Sequence, residues 1–193
     1  IPSGVNYEAR FERNIVESAA SLANSVTYNA YTVAADYEVT PRFVLAGLAG
    51  RFNFSDDNQR SLVRAKAIYV LSEEYGVSAY VRARGFSDSR PNGLNYFSAE
   101  DLQEYQGGVR VRKRVGALRG VASAYVEAGR QKANGLTTPV NGWQLRFESF
   151  QNKPWYYDLS IGRQTNADGG AGPLIAGDRY AYRYAKASVV WPL

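Results

Sequence analysis

The stretch Val77-Ser78-Ala79-Tyr80-Val81-Arg82-Ala83-Arg84 decides the fold, because apolar and polar residues alternate along it. Successive side chains of a strand point to opposite faces of the sheet, so this pattern predicts a strand with one apolar and one polar face. The same period predicts about ten strands in all, over residues 5–14, 26–39, 42–54, 61–72, 75–86, 104–115, 117–131, 140–151, 154–165 and 180–193. These are longer than the ~5–6 residues of common globular strands and match the ~9–11 of a tilted membrane-spanning strand.

The links between the predicted strands alternate in length. Tight turns are expected at Thr40-Pro41, Glu73-Glu74, Gly116 and Asn152-Lys153, and longer links at 15–25, 55–60, 87–103, 132–139 and 166–179. A short helix is expected in 15–25, and Ser98 is a candidate helix N-cap. Short turns on one side and long loops on the other are typical of outer-membrane barrels. The sequence therefore predicts an all-β fold, an antiparallel up-and-down transmembrane β-barrel. We expect this barrel to be a single domain over residues 1–193, which is either a complete barrel or the C-terminal portion of a larger protein.

The composition excludes several kinds of chemistry. The 193 residues include no His, no Cys and no Met, which removes disulfides, thiolate metal sites and every nucleophile that is activated by a histidine. The barrel enzymes of the outer membrane rely on a histidine, and the sequence contains neither a phosphate-binding glycine loop nor a nucleophile elbow. We therefore expect no enzymatic activity, no metal and no cofactor.

The polar faces of three consecutive predicted strands are rich in basic residues. In an antiparallel meander these strands are neighbours, so their charges would form one basic wall, made of Arg64, Lys66, Arg82, Arg84, Arg110, Arg112 and Arg114. Like charges directly opposite each other are unfavourable unless water or carboxylates lie between them. The wall could line a water-filled path that favours anionic or hydroxyl-rich solutes, or it could fill a narrow lumen through salt bridges. Tyr80 on the same face could stack on a sugar or simply fill the lumen.

The apolar faces carry aromatic residues near both predicted rims. Tyr75, Trp155 and Trp191 lie near short turns, and Trp143 lies near the opposite rim. Aromatic girdles at both membrane interfaces are expected of a barrel in a bilayer. Lys113 and Arg163 interrupt the apolar pattern near strand ends, where long side chains can reach lipid headgroups. The lipid bilayer is therefore an expected partner. Nucleic acid is not expected, because the arginines alternate along several strands instead of forming one exposed patch.

Several short stretches together resemble a known family. They are residues 12–18 (Glu-Arg-Asn-Ile-Val-Glu-Ser), 26–31 (Val-Thr-Tyr-Asn-Ala-Tyr), 74–78 (Glu-Tyr-Gly-Val-Ser), 95–101 (Asn-Tyr-Phe-Ser-Ala-Glu-Asp), 178–184 (Asp-Arg-Tyr-Ala-Tyr-Arg-Tyr) and 189–193 (Val-Val-Trp-Pro-Leu). They resemble the C-terminal barrel of tetratricopeptide-containing outer-membrane proteins that export exopolysaccharides of the cellulose and poly-N-acetylglucosamine type. The resemblance implies an outer-membrane location, an exopolysaccharide as the transported solute, and a periplasmic helical-repeat region as partner.

The sequence thus leads to a main hypothesis and two alternatives. The main hypothesis is an outer-membrane pore that guides a hydrophilic polymer through an Arg-lined lumen, by many weak contacts and no single tight site. The first alternative is a plugged barrel that acts as an anchor, adhesin or receptor through its long links. The second is a soluble all-β module that binds carbohydrate.

Overall fold

The computed structural model describes residues 4–16, 18–91, 95–150, 156–166 and 180–190. The elements run in the order β1 Val5–Ile15, α1 Ala19–Ala23, β2 Thr27–Thr40, β3 Phe43–Phe54, β4 Gln59–Ser72, β5 Val77–Asp88, β6 Leu102–Val115, β7 Gly120–Ala133, β8 Leu136–Ser149, β9 Tyr156–Asn166 and β10 Tyr180–Val190. Helix α1 begins after Ser18, whose side chain accepts a hydrogen bond from the Ser21 N–H. This confirms the short helix expected in residues 15–25. Within the described ranges no helix is long and apolar enough to cross a membrane.

All ten strands form one sheet in which each strand pairs with its neighbour in sequence. Every pairing is antiparallel, so the predicted all-β, up-and-down arrangement of ten strands is confirmed. Within the described residues β1 pairs only with β2 and β10 only with β9, so no β1–β10 seam closes the sheet. We call the end of the sheet with the turns at 41–42, 73–76 and 116–119 the short-turn end, and the other the long-loop end.

Two sequence predictions at the long-loop end are wrong. The expected long link over 132–139 is a two-residue turn, since β7 ends at Ala133 and β8 begins at Leu136. Asn134 and Gly135 have φ values of 48° and 82°, which is the Asn-Gly geometry that the twist of a tight hairpin favours. Pro139 is tolerated inside β8 because β8 pairs with β9 only from Gly142 to Glu148. At position 139 no carbonyl of β9 therefore requires the N–H that proline lacks.

The expected helix start at Ser98 is also absent. Residues 96–101 run without helix into β6, and Ser98 is buried. This segment packs on two small apolar clusters, one around Leu62, Phe86 and Leu102, and one around Val26 and Phe54. Tertiary burial therefore overrides the local capping pattern, as it commonly overrides weak helix propensity.

Candidate functional site

The two faces of the sheet differ in what their side chains contact. On one face, side chains reach over an intervening strand. The Tyr80 hydroxyl of β5 donates to Glu127 of β7 at 2.8 Å, and Gln144 of β8 donates to the Tyr184 hydroxyl of β10 at 2.8 Å. The other face exposes large apolar residues such as Val81 at 61%. We call these the inner and the outer face.

A partly open cavity of about 330 Å³ lies against the inner face. Its lining joins Gln164 of β9 to polar side chains of β4, β5 and β6, which are Arg64, Lys66, Arg82, Arg84 and Glu104. Strands that are distant in the sheet order therefore face each other across this space. The arrangement shows that the sheet curls around its polar face.

Two arginines of the predicted basic wall are paired with buried carboxylates. Arg82 donates to Gln106 at 2.8 Å and to Glu127 at 2.9 Å, and Arg84 donates to Glu104 at 2.8 Å. The Glu104 and Glu127 side chains are each only 3% exposed. A buried carboxylate requires such a partner, because an unpaired charge away from water is strongly unfavourable. The middle of the wall is therefore a compensated ion-pair layer.

Lys66 and Tyr80 also meet on the inner face. The Lys66 ammonium lies 4.7 Å from the centre of the Tyr80 ring, within the range of a cation–π contact. The same ring carries the hydroxyl that donates to Glu127. Tyr80 is therefore held on both its face and its edge, and it forms a fixed part of the inner wall.

Three further arginines of the predicted wall lie on β6 toward the short-turn end. Arg110, Arg112 and Arg114 are exposed and form no ion pair with any described residue. The Arg114 guanidinium lies 4.7 Å from the centre of the Phe150 ring. The predicted wall is thus divided along its length into a paired middle and an uncompensated short-turn part.

A second polar cluster, on β8, β9 and β10, was not predicted. Arg146 donates to Asp158 at 3.0 Å and also pairs with Glu148 at 2.9 Å. Beside it, the Tyr182 hydroxyl donates to Gln164 at 3.0 Å, and the Tyr182 and Tyr184 ring centres are 5.7 Å apart. The alternation already places these side chains on the polar face, but only the strand register brings them together.

At the long-loop end, residues 95–101 fold onto the inner face. Arg60 forms a bidentate pair with Asp88 at 2.9 Å and also donates to the Phe97 carbonyl at 2.6 Å. Asp88 in turn accepts from the Ala99 N–H at 3.0 Å. Because both charged groups are largely buried, this pair fixes the segment against the mouth of the curled sheet and narrows it.

Tyr96 anchors the same segment. Its ring stacks on Phe54 at 4.8 Å, and its hydroxyl accepts from Asn58 at 3.0 Å and donates to Asp56 at 3.1 Å. Burial raises the pKa of the Tyr96 phenol well above its ordinary value, and the Asp56 carboxylate raises it further. The phenol therefore stays protonated, as its donated hydrogen bond requires.

The predicted interface aromatics lie on the outer surface where the structure describes them. Tyr75 is 58% exposed at the short-turn end, and the Lys113 ammonium lies 5.5 Å from its ring centre. Trp143 is 37% exposed and directly opposite Arg163. It lies in the middle of β8 and not near a rim as expected, because β8 begins at Leu136 and not at the predicted residue 140. Trp155 and Trp191 lie outside the described residues. Within the described part of the chain, no group of three or more carboxylates could hold a metal ion.

An antiparallel meander of long strands, polar on its inner face and apolar on its outer face, is the arrangement typical of the walls of outer-membrane β-barrels; within the described residues it forms an open sheet. In fold the chain is similar to a solved structure described as "Bacterial polysaccharide outer membrane secretin". The TM-score is 0.80 at 13% sequence identity, and the match covers 100% of this chain and 66% of that one. The chain thus spans 66% of the length of that protein. No family model matches the sequence, and no curated protein matches it.

Proposed function

We propose that the chain forms the wall of a bacterial outer-membrane pore that guides a hydrophilic polymer, an exopolysaccharide, out of the cell. The observation that carries this proposal is the inner face, where paired charges, amides and tyrosines surround open space on a fold similar to that of a polysaccharide secretin. The role involves no chemical step and no cofactor. The expected partners are the bilayer, the polymer and a periplasmic helical-repeat region.

The chemistry of the inner face suits a neutral or anionic sugar polymer. Sugar hydroxyls can exchange hydrogen bonds with half-buried amides such as Gln144 and Gln164, while tyrosine rings offer apolar faces to sugar rings. Because Arg82 and Arg84 already have carboxylate partners, they bind a passing hydroxyl weakly. Conduction requires many weak contacts of this kind and no single tight site.

The outer face favours the membrane over the soluble alternative. Large apolar side chains are exposed along it, including Tyr7 at 69%, Val189 at 65% and Phe11 at 60%. A continuous apolar surface of this kind is a liability in water and is required in a bilayer. A soluble carbohydrate-binding module would leave it uncovered.

Conductance in a planar bilayer tests the pore. We expect stable open channels that a soluble oligosaccharide blocks transiently. The double variant Arg110→Ser and Arg112→Ser should lower the anion preference of the open channel, since both exposed guanidinium groups lie on the inner face. The matched control, Arg42→Ser with Arg119→Ser, removes the same charge from two exposed turn positions at the same end and should change the anion preference much less.

A second function is favoured by one observation. Residues 95–101 pack on the inner face and narrow its long-loop end, as a plug would. A folded, membrane-inserted protein that conducts no ions under any applied voltage would support an anchor or surface receptor and contradict the pore. An equal shift of selectivity in the Arg110/Arg112 variant and in its control would remove those residues from the path.

A further inference from the structure

The two faces of the sheet differ in the charges they carry: the inner face holds both basic and acidic side chains, whereas the outer face holds basic ones alone. Residues directly opposite in the ladder share a face, and Arg51 is opposite both Tyr31, which is 52% exposed, and Ser61. Arg51 therefore lies on the outer face. Every carboxylate of a described strand alternates onto the inner face, whereas the outer face carries only basic charges, namely Arg13, Arg51, Lys113, Arg130, Lys132, Arg163 and Arg183.

These outer basic residues are also segregated along the strands. Lys113 alone lies at the short-turn end, over Tyr75. The others lie in the half of their strand next to the long-loop end, and we call them the outer basic belt: Arg13, Arg51, Arg130, Lys132, Arg163 and Arg183. A random scatter of solvent-exposed charges would not leave the outer face with a single sign of charge, concentrated at one end.

Members of the belt lie close together without acidic partners. Arg163 and Arg183 are direct cross-strand partners, and Arg130 and Lys132 project from the same face of β7. None of these four forms an ion pair with a described residue. Like charges placed directly opposite each other repel unless a shared anion lies between them. The belt therefore presents sites for an anion that two basic groups can hold at once.

Aromatic residues mark the level of the belt in the membrane. Tyr31 is directly opposite Arg51, and Tyr105 is directly opposite Arg130. Tyrosine and tryptophan on a lipid-facing surface concentrate at the headgroup level. The residues that continue the outer face toward the short-turn end are apolar, for example Leu145 and Ile161. The basic groups thus lie at the boundary between apolar surface and water.

We propose that the outer basic belt binds the phosphate groups of phosphorylated lipid headgroups in the outer leaflet. This inference rests on the proposed insertion in the outer membrane, but not on the inner face being an open pore. Guanidinium groups bind phosphate oxygens in a bidentate manner, and two adjacent basic residues can share one phosphate. A lipid headgroup is the occupant that fits, because the anion must approach the outer face from outside the sheet. It must also bind where the apolar surface ends, next to the long-loop end.

The test compares lipids that differ only in phosphate. The protein, folded in a zwitterionic detergent, is titrated with bisphosphorylated lipid A, with fully dephosphorylated lipid A and with inorganic phosphate, and bound molecules are counted by native mass spectrometry. We expect the phosphorylated lipid to bind at least about tenfold more tightly than the dephosphorylated lipid, and inorganic phosphate to compete weakly. Equal binding of the two lipids, or phosphate binding as tight as that of the lipid, would overturn the proposal.

Variants then locate the site. Arg163→Gln with Arg183→Gln, and Arg130→Gln with Lys132→Gln, should each weaken binding of the phosphorylated lipid about tenfold or more. Arg42→Gln with Arg119→Gln removes two exposed basic charges elsewhere and should leave this binding unchanged. Equal effects of the three variants would contradict the belt. If a variant fails to fold, the comparison of lipids on the unaltered protein still decides. A silent channel with intact lipid selectivity would refute only the pore.

Discussion

The ring of Tyr80 lies over the backbone of Gly108, its directly opposed partner on β6. A Cβ atom at position 108 would be 2.7 Å from both Cζ and the hydroxyl oxygen of that ring. The absence of a side chain lets the ring cross β6 and place its hydroxyl on Glu127 of β7. Tyr184 repeats the arrangement over Gly162 and reaches Gln144 on the strand beyond. Glycine thus allows two tyrosines to link strands two places apart on the inner face, β5 to β7 and β10 to β8.

Gly108→Ala should displace the Tyr80 ring and break its hydrogen bond to Glu127. The new methyl would also meet the Val126 carbonyl oxygen at 2.6 Å, so we expect a loss of about 1–3 kcal/mol in the free energy of unfolding. Urea unfolding in lipid vesicles measures it. Gly107→Ala is the matched control, because its Cβ has no atom nearer than 3.7 Å. Equal losses in both variants would refute the role of the Tyr80–Gly108 contact.

Glu127→Gln should leave Arg82 without its carboxylate partner. The new amide N–H would face one of the two groups that donate to Glu127, the Arg82 guanidinium or the Tyr80 hydroxyl. Because the site is buried, we expect a loss of about 1–3 kcal/mol in stability and a rise in anion preference of the open channel. Glu8→Gln removes the same charge from an exposed inner position and should cost less than about 0.5 kcal/mol. Unchanged stability and selectivity in the Glu127 variant would show that the ion-pair layer is not needed.

Tyr96 should make the protein less stable in alkali. Its pKa is raised in the folded state, so the stability it contributes is fully present below the unfolded value of about 10 and is lost as the pH rises beyond it. Unfolding free energies measured between pH 8 and 11 should fall less steeply in Tyr96→Phe than in the unaltered protein. Tyr7→Phe, at a tyrosine that is 69% exposed, should keep the original slope. Parallel slopes in all three proteins would rule out this contribution.

Asp88→Asn should release residues 95–101 from the inner face. Breaking a buried ion pair by neutralising one partner typically costs about 3–5 kcal/mol, and Asp88 also holds the Ala99 N–H. We expect faster chymotrypsin cleavage after Tyr96 or Phe97 and a larger single-channel conductance. Asp57→Asn, at an 83% exposed side chain, should change neither. Unchanged cleavage and conductance would mean that this pair does not hold the constriction.

The sequence predicts the strands better than the links. Period-two alternation depends on neighbouring residues alone, so it locates β5 and β9 within about two residues. The tight turn at Asn134-Gly135 replaces the long link expected over 132–139, and Pro139 fits inside β8 because it has no partner on β9. The helix expected at Ser98 was wrong because burial against Phe86 and Leu102 outweighs a capping pattern.

By itself, the sequence determines that this is an antiparallel sheet with one polar and one apolar face, since side-chain direction in a strand follows from parity. It also predicts that the polar face is basic and that aromatic residues lie near the rims. Only the tertiary structure decides which charges are neutralised. Arg82 meets Glu127 from a strand two places away, and Arg163 meets Arg183 without a carboxylate, because cross-strand register is set by turns and packing that no single strand encodes.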